Sequence, residues 1–435
     1  MTTRRDFLKT AAIGAAAVST LSIARSAHAA GSDTLRLGLV GCGGRGMGAL
    51  ANAMEADSNT VVTAFGDLFK ESADGAYNRY KDNPRCKATP DTVFSGFDNY
   101  KGVIENCDVV LLATSPHYRP IHFAAAVEAG KHVFFEKPNG VDAAGVRSFI
   151  ESGKIAAEKG LTVISGLCWR YHTGVVATMN KVLEGMIGDV REIQCTYLTG
   201  CLWTRPRREG DTEMMFQNRN WYNFAWLSGD YNLEQHVHTL DKAYWILGAP
   251  QSAWGCGART LRVAQPAYGD IYDQMSVTFD YPNGVKVHSF CRQINGCFNE
   301  NQCKILGSKG MAIALGEHRI IDLEGNTIWK ASRAESRCNM YVSEHVAMFD
   351  SIRNGKAKND VEYSSYSTLM GVMGREACYT GQRLDWNQVL NSQKVMAPKE
   401  YTPEAVPPCA PIEGATYEPV KNMYEVPLPG VTKFV

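Results

Sequence analysis

The stretch LRLGLVGCGGRGMGAL, Leu35 to Leu50, decides how the first part of the chain is read. An apolar run, Leu35–Val40, enters Gly41-Cys42-Gly43-Gly44-Arg45-Gly46, and a helix-like segment follows. The spacing is G-x-G-x-x-G. Gly41 permits the tight turn, Gly43 lets the backbone approach a pyrophosphate, and Gly46 allows close helix–strand packing. The anion would sit at a helix N-terminus, where free N–H groups and the helix dipole favour it. A second strand, VVTAFGD, ends in Asp67, 21 residues beyond Gly46. A carboxylate there can take both ribose hydroxyls and repels a 2′-phosphate, which points to NAD rather than NADP; the alternative is a turn or cap residue.

Working outward, strand and helix alternate. DVVLLATSP is a strand reaching Pro116, HYRPIHFAAAVEAG a helix, and KHVFFEKP a strand ending at Glu136-Lys137-Pro138. DAAGVRSFIESGKIAAEKG is a helix and LTVISGLCWRY a strand. This alternation predicts a doubly wound parallel sheet over residues 31–170, with ligands at the C-terminal strand ends. Ser115, His117, Glu136 and Lys137 occupy such ends and join the candidate cofactor residues.

After Arg170-Tyr171-His172 the pattern changes. VREIQCTYL, MSVTFDYPNGVKVHSFCRQ and CKILGSKGMAIAL read as antiparallel strands with turns at Pro282-Asn283-Gly284 and Lys309-Gly310. Helices SEHVAMFDSIRNGK and STLMGVMGREACYTGQRL would cover that sheet or return to the first domain. The expectation for 171–397 is an α+β domain on a mainly antiparallel open sheet. Between its strands, CLWTRPRREGDTEMMFQNRNWYNFAWLSGD is rich in Arg, Asn and Trp. Trp203, Arg205, Arg219 and Trp221 there suit a sugar pocket or, equally, a surface loop with its own aromatic core. Residues 398–435 are proline-rich and lack a helical or strand period, so they read as an extended tail wrapping the surface or a neighbouring subunit.

The 435 residues exceed one ordinary core, and 45 Lys plus Arg balance 45 Asp plus Glu, so no basic nucleic-acid footprint exists. Arg4-Arg5 with Phe7, Leu8 and Lys9, the weakly apolar run AAIGAAAVSTLSI and Ala27-His28-Ala29 resemble a twin-arginine export signal over residues 1–30. The translocase of that route is then an implied partner, and the location periplasmic or secreted. No later apolar run is long enough to span a bilayer. Thirteen scattered cysteines contain no CxxC pair and read as buried free thiols, with room for one unassigned bridge.

One stretch, SGDYNLEQHVHTLDK (Ser228–Lys242), concentrates Asp230, Glu234, His236, His238 and Asp241. With GLVGCGGRG, ATSPHYRPIHFAAAVEAGKHVFFEKP and HTLDKAYWILG it resembles the glucose–fructose oxidoreductase, inositol dehydrogenase and rhizopine-catabolism family (Gfo/Idh/MocA), over roughly Leu35 to Gln388. The resemblance implies that Lys137 sits beside the nicotinamide and the reacting sugar hydroxyl. It also implies that Glu234, His238 and Asp241 fill the family's Asp, His and Asp places. On a helix Glu234 and His238 share a face, so the carboxylate would orient the imidazole as proton acceptor. Glu234 for Asp, and His236 where Gly is common, depart from the family pattern. Arg170, His172, Trp203, Arg219, Trp221 and Asp241 form the candidate substrate set, and no metal is expected, since no second ligand cluster stands near His236 and His238. The expected activity is exported, NAD-dependent hydride exchange with a carbohydrate by a homo-oligomer holding its cofactor tightly. The alternatives are a redox-neutral NAD-dependent glycoside hydrolase and a sugar-binding protein without turnover.

Overall fold

The computed structural model describes residues 33–262, 267–412 and 423–435; the twin-arginine segment lies outside them. Six parallel strands form the first sheet: β1 (Leu35–Val40), β2 (Thr60–Asp67), β3 (Val93–Ser95), β4 (Val109–Leu112), β5 (His132–Phe135) and β6 (Val163–Ser165). Their order is β3-β2-β1-β4-β5-β6, so the winding reverses between β1 and β4 and opens a crevice above β1. The strands are apolar runs because helices cover both faces: Leu37, Leu39, Leu111, Val133 and Phe134 are fully buried.

The second sheet has nine strands, in the order β14-β13-β12-β11-β7-β10-β9-β8-β15. They are β7 (Val190–Thr199), β8 (Ser252–Ala258), β9 (Gln274–Asp280), β10 (Lys286–Gln293), β11 (Glu300–Gly307), β12 (Gly310–Ile313), β13 (Arg319–Asp322), β14 (Thr327–Lys330) and β15 (Leu384–Asp385). β7 pairs β10 in parallel; all other neighbours are antiparallel. The β9–β10 hairpin turns at Pro282–Gly284, with Asn283 and Gly284 both at positive φ as the sequence predicts. Sequence patterning misses β3, β13, β14 and β15, which are two to four residues long, and also the seven-residue β8, SAWGCGA, whose two glycines break the strand pattern.

The two predicted C-terminal helices divide their work. Met340–Arg353 returns to the parallel sheet, where Met348 and Phe349 enter its core. Val361–Thr380 packs against β8, β9 and the helix Ala143–Glu158, so one buried helix serves both sheets. Among the described residues no helix is long and apolar enough to cross a membrane. All thirteen cysteines are free thiols.

The C-terminal tail lies against its own chain. Tyr424 is buried with Met214, Phe216, Phe224 and Trp226. Tyr272 donates to the Pro427 carbonyl at 2.6 Å.

Folding carries a pH penalty. Burial pushes His117, His122, His236 and His345 down to about 3. Each stays neutral in the fold while the unfolded chain protonates near 6.5, so the unfolded state binds more protons and stability falls as pH drops from 6.5 toward 3. The unfolding free energy from urea denaturation is expected to fall clearly between pH 7.5 and 5.5, with a slope of up to about 1.4 kcal/mol per pH unit for each histidine involved; a free energy unchanged over that range contradicts the burial of these side chains as neutral bases.

Candidate active site

The crevice begins where β1 ends. Gly41 has φ 95°, a left-handed conformation that favours glycine, and a Cβ on Gly46 would lie 1.8 Å from the Gly41 carbonyl. Gly43 and Gly44 face open space instead, and no side chain caps the helix Gly44–Ala56 that they start. An uncapped helix N-terminus beside glycines whose Cβ positions meet nothing fits a pyrophosphate. Asp67, at the end of β2, accepts Cys42 N–H at 2.7 Å and Phe69 N–H at 3.0 Å. Burial raises its carboxyl, and these two bonds oppose the rise. They hold the carboxylate beside the glycine loop with a lone pair left on each oxygen. A cavity of about 670 Å³ runs past Gly41, Gly43, Asp67, Phe69, Ser115 and Tyr118, and its other wall carries Trp203, Arg219 and Trp221.

At its inner end a second cavity of about 280 Å³ is lined by Arg45, Arg119, Glu136, Lys137, Tyr197, Trp221, Glu234, His238 and Tyr341. Lys137, just past β5, donates to Glu234 Oε1 at 2.7 Å and to the Glu234 carbonyl. The Nδ1 of His238 is buried without a hydrogen-bond partner. Burial first, then the charges of Lys137, Lys242 and Arg45, push this imidazole well below its ordinary range. It is therefore a neutral base facing a cavity of sugar size.

Glu234 and His238 do not share a continuous helix. Tyr231–Glu234 ends, Gln235 and His236 form a turn, and Val237–Leu247 begins. At this turn His236 is buried; its Nε2 meets Ser289 Oγ at 2.7 Å and its Nδ1 meets Thr239 Oγ1 at 2.7 Å. Both predicted residues reach the cavity, but the Glu234 carboxylate orients Lys137 rather than the imidazole.

Several other expected residues are engaged elsewhere. Arg170 and Asp241 form a bidentate ion pair with contacts of 2.8–3.1 Å, which Ser367 completes at 2.7 Å. The guanidinium lies against the rings of Tyr363 and Trp245. Neither residue lines the inner cavity; a buried pair braces the fold. His172 caps the helix Thr173–Leu183 and stacks against His318. His117 is buried beside Trp226 with Nε2 2.8 Å from Tyr401 Oη, below the crevice wall rather than on it. Ser115 does line the crevice and Glu136 the inner cavity, whereas Trp203 and Arg219 line the crevice and not the inner cavity; Trp221 belongs to both. Among the described residues no group of His, Cys, Asp and Glu is placed to hold a metal.

Two residues of the site carry no sequence signal of their own. Arg119 donates to the Pro138 carbonyl at 2.7 Å and the Thr114 carbonyl at 2.6 Å, tying together the chain after β4 and after β5. Arg45, inside the glycine loop, pairs with Glu136 and, at 3.3 Å, with Glu344. Burial and the charge of Glu136 raise the Glu344 carboxyl well above the usual range.

Two models of one family match this chain: an oxidoreductase family, NAD-binding Rossmann fold, over residues 35–167, and a Gfo/Idh/MocA C-terminal domain over 175–313. Together they account for more than half of it. The chain belongs to the Gfo/Idh/MocA oxidoreductase family. An inositol 2-dehydrogenase of Burkholderia vietnamiensis is 24% identical over 365 residues, covering 80% of this chain and 94% of that protein. A protein named glycosyl hydrolase family 109 protein 2, from Shewanella sp., is 24% identical over 220 residues, and the chain spans about half of its length, 47%. Among solved structures, levoglucosan dehydrogenase in complex with NADH and levoglucosan superposes with a TM-score of 0.60 at 18% identity, over 81% of this chain and 99% of that one; that likeness shows the shared fold.

Within this family fold, the reassignment of Asp241 is open to test. Asp241→Ala leaves Arg170 buried without its partner and is expected to cost about 3–5 kcal/mol in urea denaturation, with NAD affinity in the folded protein unchanged. A variant of wild-type stability that binds substrate poorly contradicts the bracing role.

Proposed function

We propose that the protein exchanges a hydride between a carbohydrate hydroxyl carbon and NAD held in the crevice. The observation that carries this reading is the neutral His238, beside Lys137, at the inner end of a crevice built for a dinucleotide. The nicotinamide supplies a two-electron hydride acceptor. The chain does the rest: His238 takes the hydroxyl proton, Lys137 polarises the same oxygen, and Glu234 holds the Lys137 ammonium in place. Arg119 and Arg45 fix the backbone and the acidic side chain around them. Asp67 favours NAD over NADP by occupying the place of a 2′-phosphate.

The same reading has the chain exported already folded, with its cofactor tightly bound, and working as a homo-oligomer. Free NAD is scarce outside the cytoplasm, so the reduced cofactor must be reoxidised in place. A second carbohydrate can do this. So can a redox-neutral cycle in which transient oxidation activates a glycosidic bond for elimination before the hydride returns. The partial likeness to the Shewanella protein favours keeping that second route.

In single-turnover experiments on the NAD-loaded protein, sugars are expected to raise the reduced-nicotinamide absorbance. His238→Ala and Lys137→Ala are expected to slow this by about 10²–10⁴-fold without loss of bound NAD. Because the imidazole is held well below its ordinary range, the base persists to acid pH, and the rate is expected to stay level from pH 8 through 6.5. His238→Ala reducing NAD at the wild-type rate contradicts the assignment. Aryl-glycoside cleavage without net NADH selects the redox-neutral route.

A further inference from the structure

The crevice has an outer wall that the glycine loop does not explain. Residues 201–221 cross it and place Trp203, Arg205, Arg208, Arg219 and Trp221 on the same cavity as Asp67, Phe69 and Ser72. Asp67 marks the ribose end of a dinucleotide site, so this wall faces the adenosine half. Its chemistry suits a purine. The Arg219 guanidinium lies 4.0 Å from the Phe69 ring centre and that of Arg205 lies 5.3 Å from the Trp203 ring centre, giving flat cationic and aromatic surfaces. The wall is also fastened. Arg208 and Arg219 both donate to Glu71 Oε1 at 2.8 Å, and Glu71 lies in the first turn of the helix that follows Asp67. Behind the wall, Asn218 accepts from Tyr118 at 2.8 Å, Glu213 accepts from Tyr424 of the tail at 2.8 Å, and Thr212 donates to the Pro403 carbonyl.

We infer that residues 201–221 are the adenosine-binding wall of the cofactor site and that Glu71, gripped by two arginines, latches it closed. This rests on the proposal that NAD occupies the crevice. The dinucleotide then leaves only after the latch opens, and the tail, by bracing the wall from behind, favours the closed state. Arg208 and Glu71 are 58% and 54% exposed, so salt screens the latch.

The test uses the full chain loaded with NADH, displaced by excess ADP-ribose and followed by the fluorescence of bound nicotinamide. Glu71→Gln, which removes both contacts, is expected to raise the dissociation rate about fivefold, the scale of an exposed ion pair; Arg208→Ala, which leaves the Arg219 contact, raises it less, and the double variant is no faster than Glu71→Gln. The wild-type rate is expected to rise with added salt, and that rise to be lost in Glu71→Gln. Rates within about 1.5-fold of wild type with an unchanged salt response overturn the latch. A wild-type protein that does not bind NADH overturns the reading beneath it instead.

Discussion

The ion pair between Lys137 and Glu234 is the contact on which the site depends. Lys137 leaves the parallel sheet at the end of β5, and Glu234 belongs to the segment that enters the second layer. Both side chains are nearly withdrawn from water, 13% and 12% exposed. Such a pair contributes little net stability against its desolvation, but breaking it strands a charge. Its value lies in position: it sets where the ammonium points and fixes the turn that delivers His238. Around it the chain is stiffened. Arg119 ties the ends of β4 and β5, and Asn139 is held by Ser364, Ser365 and Thr368 of the long helix. An error in either sheet would be felt at Lys137.

Charge is arranged in a second tier behind this pair. Arg45 stands between Glu136 and the buried Glu344, so a cation in the glycine loop balances Glu136 beside the inner cavity, while burial and Glu136 favour the neutral form of Glu344. Lys242, fully buried, donates to the His238 carbonyl at 2.8 Å. Burial first, and then positive charges on several sides, disfavour protonation of His238 and keep it neutral. The acidic groups nearest the cavity are committed to cations, leaving the imidazole as its uncommitted proton acceptor.

Much of this could be read from the chain before any coordinates. The parallel sheet shows in its apolar runs because both its faces are buried, and the glycine fingerprint shows because Gly41 and Gly46 satisfy backbone geometry that a side chain would break. Lys137, Glu234 and His238 were legible as a set. Their pairing was not, since the helix that would join Glu234 to His238 is interrupted at Gln235 and His236. Arg170 and Asp241 read as substrate residues because nothing local shows that two side chains 71 positions apart will find each other. Trp203 and Arg219 suit a sugar pocket or a loop with its own aromatic core equally well, and their place on the crevice depends on how 201–221 crosses it, a tertiary fact. β13 to β15 are too short to carry a period of their own.

The nucleotide that the crevice holds is the most direct observable. Protein purified without added nucleotide, denatured and analysed by mass spectrometry of the released small molecules, is expected to yield NAD(H) in stoichiometric amount. NADP(H) in its place contradicts the role given to Asp67. A protein that releases neither and does not bind added NAD contradicts the account at its centre.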